Sequence, residues 1–175
     1  MKKDFVMPIL VLSLICLLMS GALAVGNSIT RPVIEEAAAG RAEAARMEII
    51  PHTKGFVPLE AEGLPKTVTE VYGTPDDMGY IVMVTAAGGY GGTVELICGI
   101  GPDGKIIKTK VLAHNETQGL GTAVFDLKGP EYEGKDAAQI AGIDAIAGAT
   151  ITSSAYKRGV QDAFAAYEIV KGARP

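Results

Sequence analysis

Apolar residues are distributed along this chain in three ways, and each predicts a different element. From Phe5 to Gly26 there is no charged residue, and Leu, Ile, Val and Met dominate. An uncharged run of that length is long enough to cross a bilayer as a helix. From Arg31 to Ile50 the chain is polar and rich in Ala, with Pro32 near the start, which predicts a helix leaving the membrane. Gly40 weakens the middle of that helix. Pro51 to Pro65 reads as a linker.

After Pro65 the period shortens to that of strands. Val68, Val71 and Tyr72 are set among Thr and Glu in Thr67–Tyr72, and "YIVMVT" (Tyr80–Thr85) is a short apolar run between turn residues. "TVELICGI" (Thr93–Ile100) and "KIIKTKVL" (Lys105–Leu112) flank Pro102-Asp103-Gly104, a turn signal that predicts an antiparallel hairpin. Alternation on its second strand puts Ile107, Thr109 and Val111 on one face. Asp136 to Ala141 reads as a short helix. Tyr156, Val160, Ala163, Phe164, Tyr167 and Val170 then recur at spacings of three and four. That spacing predicts an amphipathic helix from about Ser154 to Lys171, with Thr152 or Ser153 as its N-cap. The fold class is α+β: a single N-terminal transmembrane helix, then a domain with an antiparallel sheet flanked by helices.

Composition narrows the chemistry. The 175 residues carry a net charge of -4 and only two cysteines and two histidines. Cys16 and Cys98 form no Cys-x-x-Cys motif, so no metal site is expected. The acidic balance argues against nucleic acid as a partner. Lys2 and Lys3 precede the apolar span, so the positive-inside tendency places the N-terminus in the cytoplasm and the bulk of the chain outside. Ala22-Leu23-Ala24 is an A-x-A site, and a cleaved signal peptide is the competing reading. The length of the apolar run and its helix-like continuation favour a retained anchor.

Three glycine-rich stretches break the regular pattern: "GGYGG" (Gly88–Gly92), "HNETQGLG" (His114–Gly121) and "DAIAGATITSS" (Asp144–Ser154). Each alone reads as a connection. None is a Walker loop or a dinucleotide-binding fingerprint. Together they suit a flat cofactor that bears a phosphate. Thr150 to Ser154 fall at a helix N-terminus, which offers unpaired N–H groups to an anion. Glu116 and Thr117 offer hydrogen bonds to a heteroaromatic edge, Gly119 and Gly121 admit backbone close to a flat face, and Leu120 gives apolar cover. No catalytic constellation accompanies them.

"DAIAGAT" resembles the flavinylation motif Asp-x-x-(Ser/Thr)-Gly-Ala-Thr of proteins that carry FMN on threonine through a phosphoester bond. "GGYGG", "GxxPDGKI" (Gly99–Ile106) and "HNETQGLG" resemble the FMN-binding domain of those proteins in the same order. The anchor followed by "NSITRPVI" is similar to the start of the G subunits of Rnf-type electron-transport complexes. Ala147 stands where the family often has Ser, and Gln118 where it often has Pro.

The resemblance implies one covalent FMN on Thr150, transferred from FAD by an external flavin transferase. Asp144, Gly148 and Ala149 would be recognition features, and Thr152, Ser153, Tyr90 and Gly91 would surround the cofactor. It divides the chain into 1–26, a cytoplasmic start and transmembrane anchor; 27–65, a helical stalk and linker; and 66–175, the FMN-binding domain. It implies an electron relay, with no catalytic site of its own, in a bacterial or archaeal cytoplasmic membrane. The relay would work among the other membrane and peripheral subunits of a ferredoxin:NAD⁺ oxidoreductase coupled to Na⁺ or H⁺ transport. The C subunit of sodium-pumping NADH:quinone oxidoreductase shares the domain and is the nearest alternative. A flavin-free anchored binding or scaffold protein is the other.

Overall fold

The computed structural model describes residues 2–172 and divides the chain into two compact units between Arg41 and Ala42. The apolar run and the Ala-rich stretch form one helix, α1 (Lys2–Ile49), with Pro8 and Pro32 inside it. Pro32 therefore sits within the helix and not near the first turn of a separate one. Among the described residues α1 holds the one segment long and apolar enough to cross a membrane, and that segment is unburied. The side chains of Lys2 and Lys3, read as the cytoplasmic flank, lie outside the described set, as do residues 173–175.

The second unit, from Ala42, is built on a five-stranded antiparallel sheet in which each strand pairs with its neighbour in the chain. The strands are β1 (Val57–Pro58), β2 (Val68–Gly73), β3 (Tyr80–Gly89), β4 (Gly92–Ile100) and β5 (Ile106–His114). The turn between β4 and β5 closes as the sequence predicts, with Gly101 N–H donating to the Lys105 carbonyl (2.8 Å) and Gly104 at φ +76°. The stretch read as a linker contributes β1, which pairs with β2.

One face of the sheet carries Val82, Val84, Leu96, Cys98 and Ile100, packed against α2 (Thr150–Val170) through Tyr156, Val160, Ala163 and Phe164. Gly159 lets this helix approach closely: a Cβ there would lie 2.6 Å from Leu96 Cδ2 and 3.0 Å from Ala86 Cβ. The other face carries Ile81 and Ile97, covered by Ala45, Ile49 and Ile50. Each such large apolar side chain contributes about 1.5–3 kcal/mol when fully buried.

Ile107 does not share a face with Thr109 and Val111. The register slips between Gly99 and Ile100, a bulge that leaves Ile107 as an extra residue on β5. Ile106 then joins the α2 side and Ile107 the opposite cluster. The short helix expected at Asp136–Ala141 is a 3-10 turn at Gln139–Gly142. A π turn (Val124–Lys128) and a 3-10 turn (Gly129–Tyr132), which no periodicity announces, complete the connection from β5 to α2.

Helix α2 begins at Thr150, a full turn earlier than its apolar spacing predicts, and its N-cap is Ala149. Thr152 and Ser153 are not caps. Both lie inside the first turn with buried side chains. Ser153 Oγ accepts the Ile146 N–H (3.1 Å), which closes the loop that leads into the helix.

Candidate functional site

The three glycine-rich stretches converge. Glu116, 8% exposed, lies at their meeting point. Its Oε1 accepts the Gly91 N–H from the β3–β4 tip (3.0 Å), and its Oε2 accepts the Thr152 hydroxyl from the first turn of α2 (2.6 Å). Its own N–H donates to His114 Nδ1 (3.2 Å). Hydrogen bonds to a charged acceptor are the strong ones, and these satisfy a carboxylate that burial would otherwise penalise heavily.

Three glycines of these stretches serve that convergence. A Cβ on Gly121 would lie 2.7 Å from Glu116 Cβ and Oε2, one on Gly89 would strike Glu116 Oε1, and one on Gly91 would strike the Asn115 backbone. Gly121 leaves room for the Glu116 side chain. Gly119 takes φ +78° with nothing near its Cβ position, so its role is the turn itself.

A pocket of about 460 Å³ opens where the stretches meet. Thr150, Ile151 and Thr152 form one wall, and Gly148 and Ala149 lead into it. Thr117, Leu120 and Gly121 form another beside Glu116, and Tyr90 overhangs from the hairpin tip. Thr150 is exposed. The first intrahelical backbone bond into this turn is Ser153 N–H to the Ala149 carbonyl (2.9 Å), so the N–H groups of Thr150 and its two successors have no acceptor within the helix. They give the pocket a partial positive charge.

Four of the expected site residues lie outside this lining. Gly91 faces Glu116, Ser153 faces the Ile146 amide, and Gly119 makes the turn. Asp144 lines a separate recess of about 190 Å³ with Lys128, Lys157 and Arg158. Ile151 also lines the pocket, at a position the apolar spacing leaves out because the helix it predicts begins further on. A second depression, about 670 Å³, adjoins Glu116 and is walled by His114, Phe125 and Tyr156. The His114 and Phe125 rings are 5.1 Å apart, and those of Phe125 and Tyr156 5.6 Å apart. These residues come together only through the π turn.

Two redox-capable side chains of the domain, Cys98 and Tyr132, are withdrawn from solvent. Cys98 is fully buried in β4, and burial pushes its thiol well up. Burial likewise pushes the Tyr132 phenol up to about 12. Among the described residues no His/Cys/Asp/Glu group could hold a metal ion.

Residues 89–165, which run from the hairpin tip through most of α2, match the family described as FMN-binding domain. That segment of the chain is similar to this family. The FMN-binding domain matched takes in all three converging stretches except Gly88. The chain is 29% identical over 185 residues to the G subunit of the Na(+)-translocating ferredoxin:NAD(+) oxidoreductase complex of Acetobacterium woodii, covering 91% of this chain and 89% of that protein. It is 40% identical over 85 residues to the G subunit of the proton-translocating ferredoxin:NAD(+) oxidoreductase complex of Clostridium ljungdahlii, covering 43% of this chain and 46% of that one. Against the G subunit of the ion-translocating oxidoreductase complex of Pseudomonas aeruginosa it is 33% identical over 97 residues, 47% of this chain and 45% of that one.

The residues present fit FMN. The volume lies within the range of about 300–1,000 Å³ usual for small-molecule pockets. An exposed hydroxyl and unpaired N–H groups suit the phosphate end, and Leu120, Ile151 and Tyr90 suit the ring system.

Proposed function

We infer that this chain is the electron-carrying G subunit of a membrane-bound, ion-translocating ferredoxin:NAD⁺ oxidoreductase, a single-pass membrane protein that works through FMN. The observation that carries this reading is Thr150: an exposed hydroxyl on the first turn of α2, at the wall of the pocket inside the matched domain. FMN held there supplies one- and two-electron redox chemistry, and the protein supplies binding, orientation and electrostatics. The relatives' names differ over the coupling ion, Na⁺ in one and the proton in another, so the reading leaves the ion unassigned.

The attachment is covalent in this reading, and Thr150 is its acceptor. A flavin transferase brings FAD to the site. Thr150 Oγ forms a bond to the phosphorus of the FMN half, and the phosphoanhydride bond to the AMP half breaks. AMP leaves with the electron pair of that bond, and the hydroxyl proton goes to a base of the transferase. The unpaired N–H groups of the first turn support the resulting phosphodiester charge. The pocket lies in the unit beyond the apolar segment, on the extracytoplasmic side, where a tethered flavin is not lost to the surroundings. The other subunits of the complex are its electron partners.

Intact-mass measurement of the full chain co-expressed with a flavin transferase tests the reading. An increment equal to FMN is expected. A folded chain that takes no increment would refute the covalent site. Cleavage by external protease in spheroplasts tests the side: the domain is expected to be cut, and protection would place it in the cytoplasm.

A further inference from the structure

Two threonines lie in the first turn of α2, and only one is available. Thr152 is 1% exposed and donates its hydroxyl to Glu116 Oε2 (2.6 Å), whereas Thr150 is exposed at the pocket. Residues two apart on an α-helix point about 200° away from each other. Holding the Thr152 hydroxyl inward therefore fixes the turn with the Thr150 hydroxyl outward. The same carboxylate holds the Gly91 N–H (3.0 Å) and so fixes the hairpin tip that carries Tyr90. Among the described residues no ion pair involves Glu116. A buried carboxylate with no cation beside it is a costly way to join three loops when apolar packing would do.

We propose that Glu116 is a specificity-determining and positioning residue for flavin attachment: it sequesters Thr152 and presents Thr150 as the acceptor. This rests on the covalent reading above. Glu116 contacts the chain's own donors with both oxygens, and it acts on the attachment through the orientation of the helix turn. The arrangement also explains why Gly121 must lack a side chain, since any Cβ there would press on the Glu116 side chain at 2.7 Å.

The test uses the full chain in detergent with transferase and FAD, and follows FMN incorporation by intact mass and by peptide mapping of the attachment residue. Thr152→Val keeps the branched shape and removes the donor to Glu116. It is expected to lower the maximal incorporation rate about 10- to 100-fold, the scale of a misplaced reacting group. Its half-saturating acceptor concentration is expected to change little. Thr152→Ser keeps the hydroxyl and should restore the rate. Glu116→Gln keeps an acceptor for Gly91 and a polar partner for Thr152, and should retain most of it. A second readout needs no flavin: amide exchange at Gly91 should accelerate in unloaded Thr152→Val and not in Thr152→Ser. If Thr152→Val loads at the wild-type rate, or loses rate only as far as it loses folded protein, the proposal is overturned. A wild-type chain that takes no FMN refutes the covalent reading instead. A wild-type chain that loads at Thr150 while all three variants match it refutes this inference alone.

Discussion

The Cγ2 methyl of Ile49 fills the space that a Cβ on Gly99 would occupy. The last turns of α1 are thereby seated on the sheet face of Ile81 and Ile97. Gly99→Ala should displace Ile49 and destabilise the domain by about 1–3 kcal/mol, the usual cost of overpacking. Ile49→Ala alone should cost about 2–5 kcal/mol. The double substitution should cost less than the sum, because the new methyl takes space that Ile49 vacates. Urea unfolding of the four proteins gives the coupling, and strict additivity would mean that the two residues do not compete for space.

Thr150→Ala should abolish the covalent flavin. Thr152→Ala should leave the attachment at Thr150, though with a slower rate, because it strands Glu116 Oε2. Leaving a buried acceptor unpaired costs about 1–3 kcal/mol, so its melting temperature should fall as well. In-gel flavin fluorescence and intact mass check both. An FMN increment retained by Thr150→Ala would move the acceptor elsewhere.

Thr117 lines the pocket, is exposed, and its side chain has no hydrogen-bond partner among the described residues. Thr117→Ala should leave the flavin attached and shift its visible spectrum and midpoint potential, since one lost polar contact changes an energy by about 1–2 kcal/mol. Reductive titration of the loaded protein measures this. Identical spectra and potentials would remove the loop's polar groups from the account of ring tuning.

Glu48 lies between Lys108 and Lys110 and accepts a hydrogen bond from each. Lys108 first, and Lys110 with it, hold its carboxyl at about 2, below an ordinary value of 4.5. A lowered folded-state value gives stability that is fully present above about pH 4.5 and is lost as pH falls through about 2. The side chain is 44% exposed, so screening limits the contribution to under about 1 kcal/mol. Glu48→Gln should therefore lower stability slightly at pH 7, and the difference should shrink toward pH 2 and in high salt. A deficit that is constant with pH would point to packing instead.

Strands β2 to β5 were legible because their signals are local, whereas β1 lay in the stretch read as a linker. The "YIVMVT" run and the Pro102-Asp103-Gly104 turn depend on neighbours in the chain, and α2's apolar stripe depends on its own period. The start of α2 was not legible. Thr150 to Ser153 have low apolar periodicity, and they are helical because Ala149 turns the chain and Glu116 holds Thr152 from 36 residues away in sequence. The face of Ile107 was misplaced for a related reason: a bulge is a defect in pairing between strands, which alternation along one strand does not record. The motif stretches could be seen as three candidates for one site. That they meet on a single carboxylate, with Gly89 and Gly121 leaving room for it, required the fold. The wall of His114, Phe125 and Tyr156 had no sequence signal, because the π turn that carries Phe125 has no period of its own.

The order of the strands in the sheet bears on how the molecule is made. Each strand pairs with the one just synthesised, so loop closures are short and the meander can assemble as the chain emerges. The exception is α2, whose Asp162 accepts a hydrogen bond from Thr67 across 95 residues. It follows the strands in the chain, and it carries Thr150, the acceptor proposed above. A polypeptide released before α2 leaves Val82, Val84 and Leu96 uncovered on an open sheet and lacks Thr150. In the proposed reading, one segment both covers the sheet and supplies the hydroxyl, so a copy that lacks it exposes apolar surface and takes up no covalent flavin.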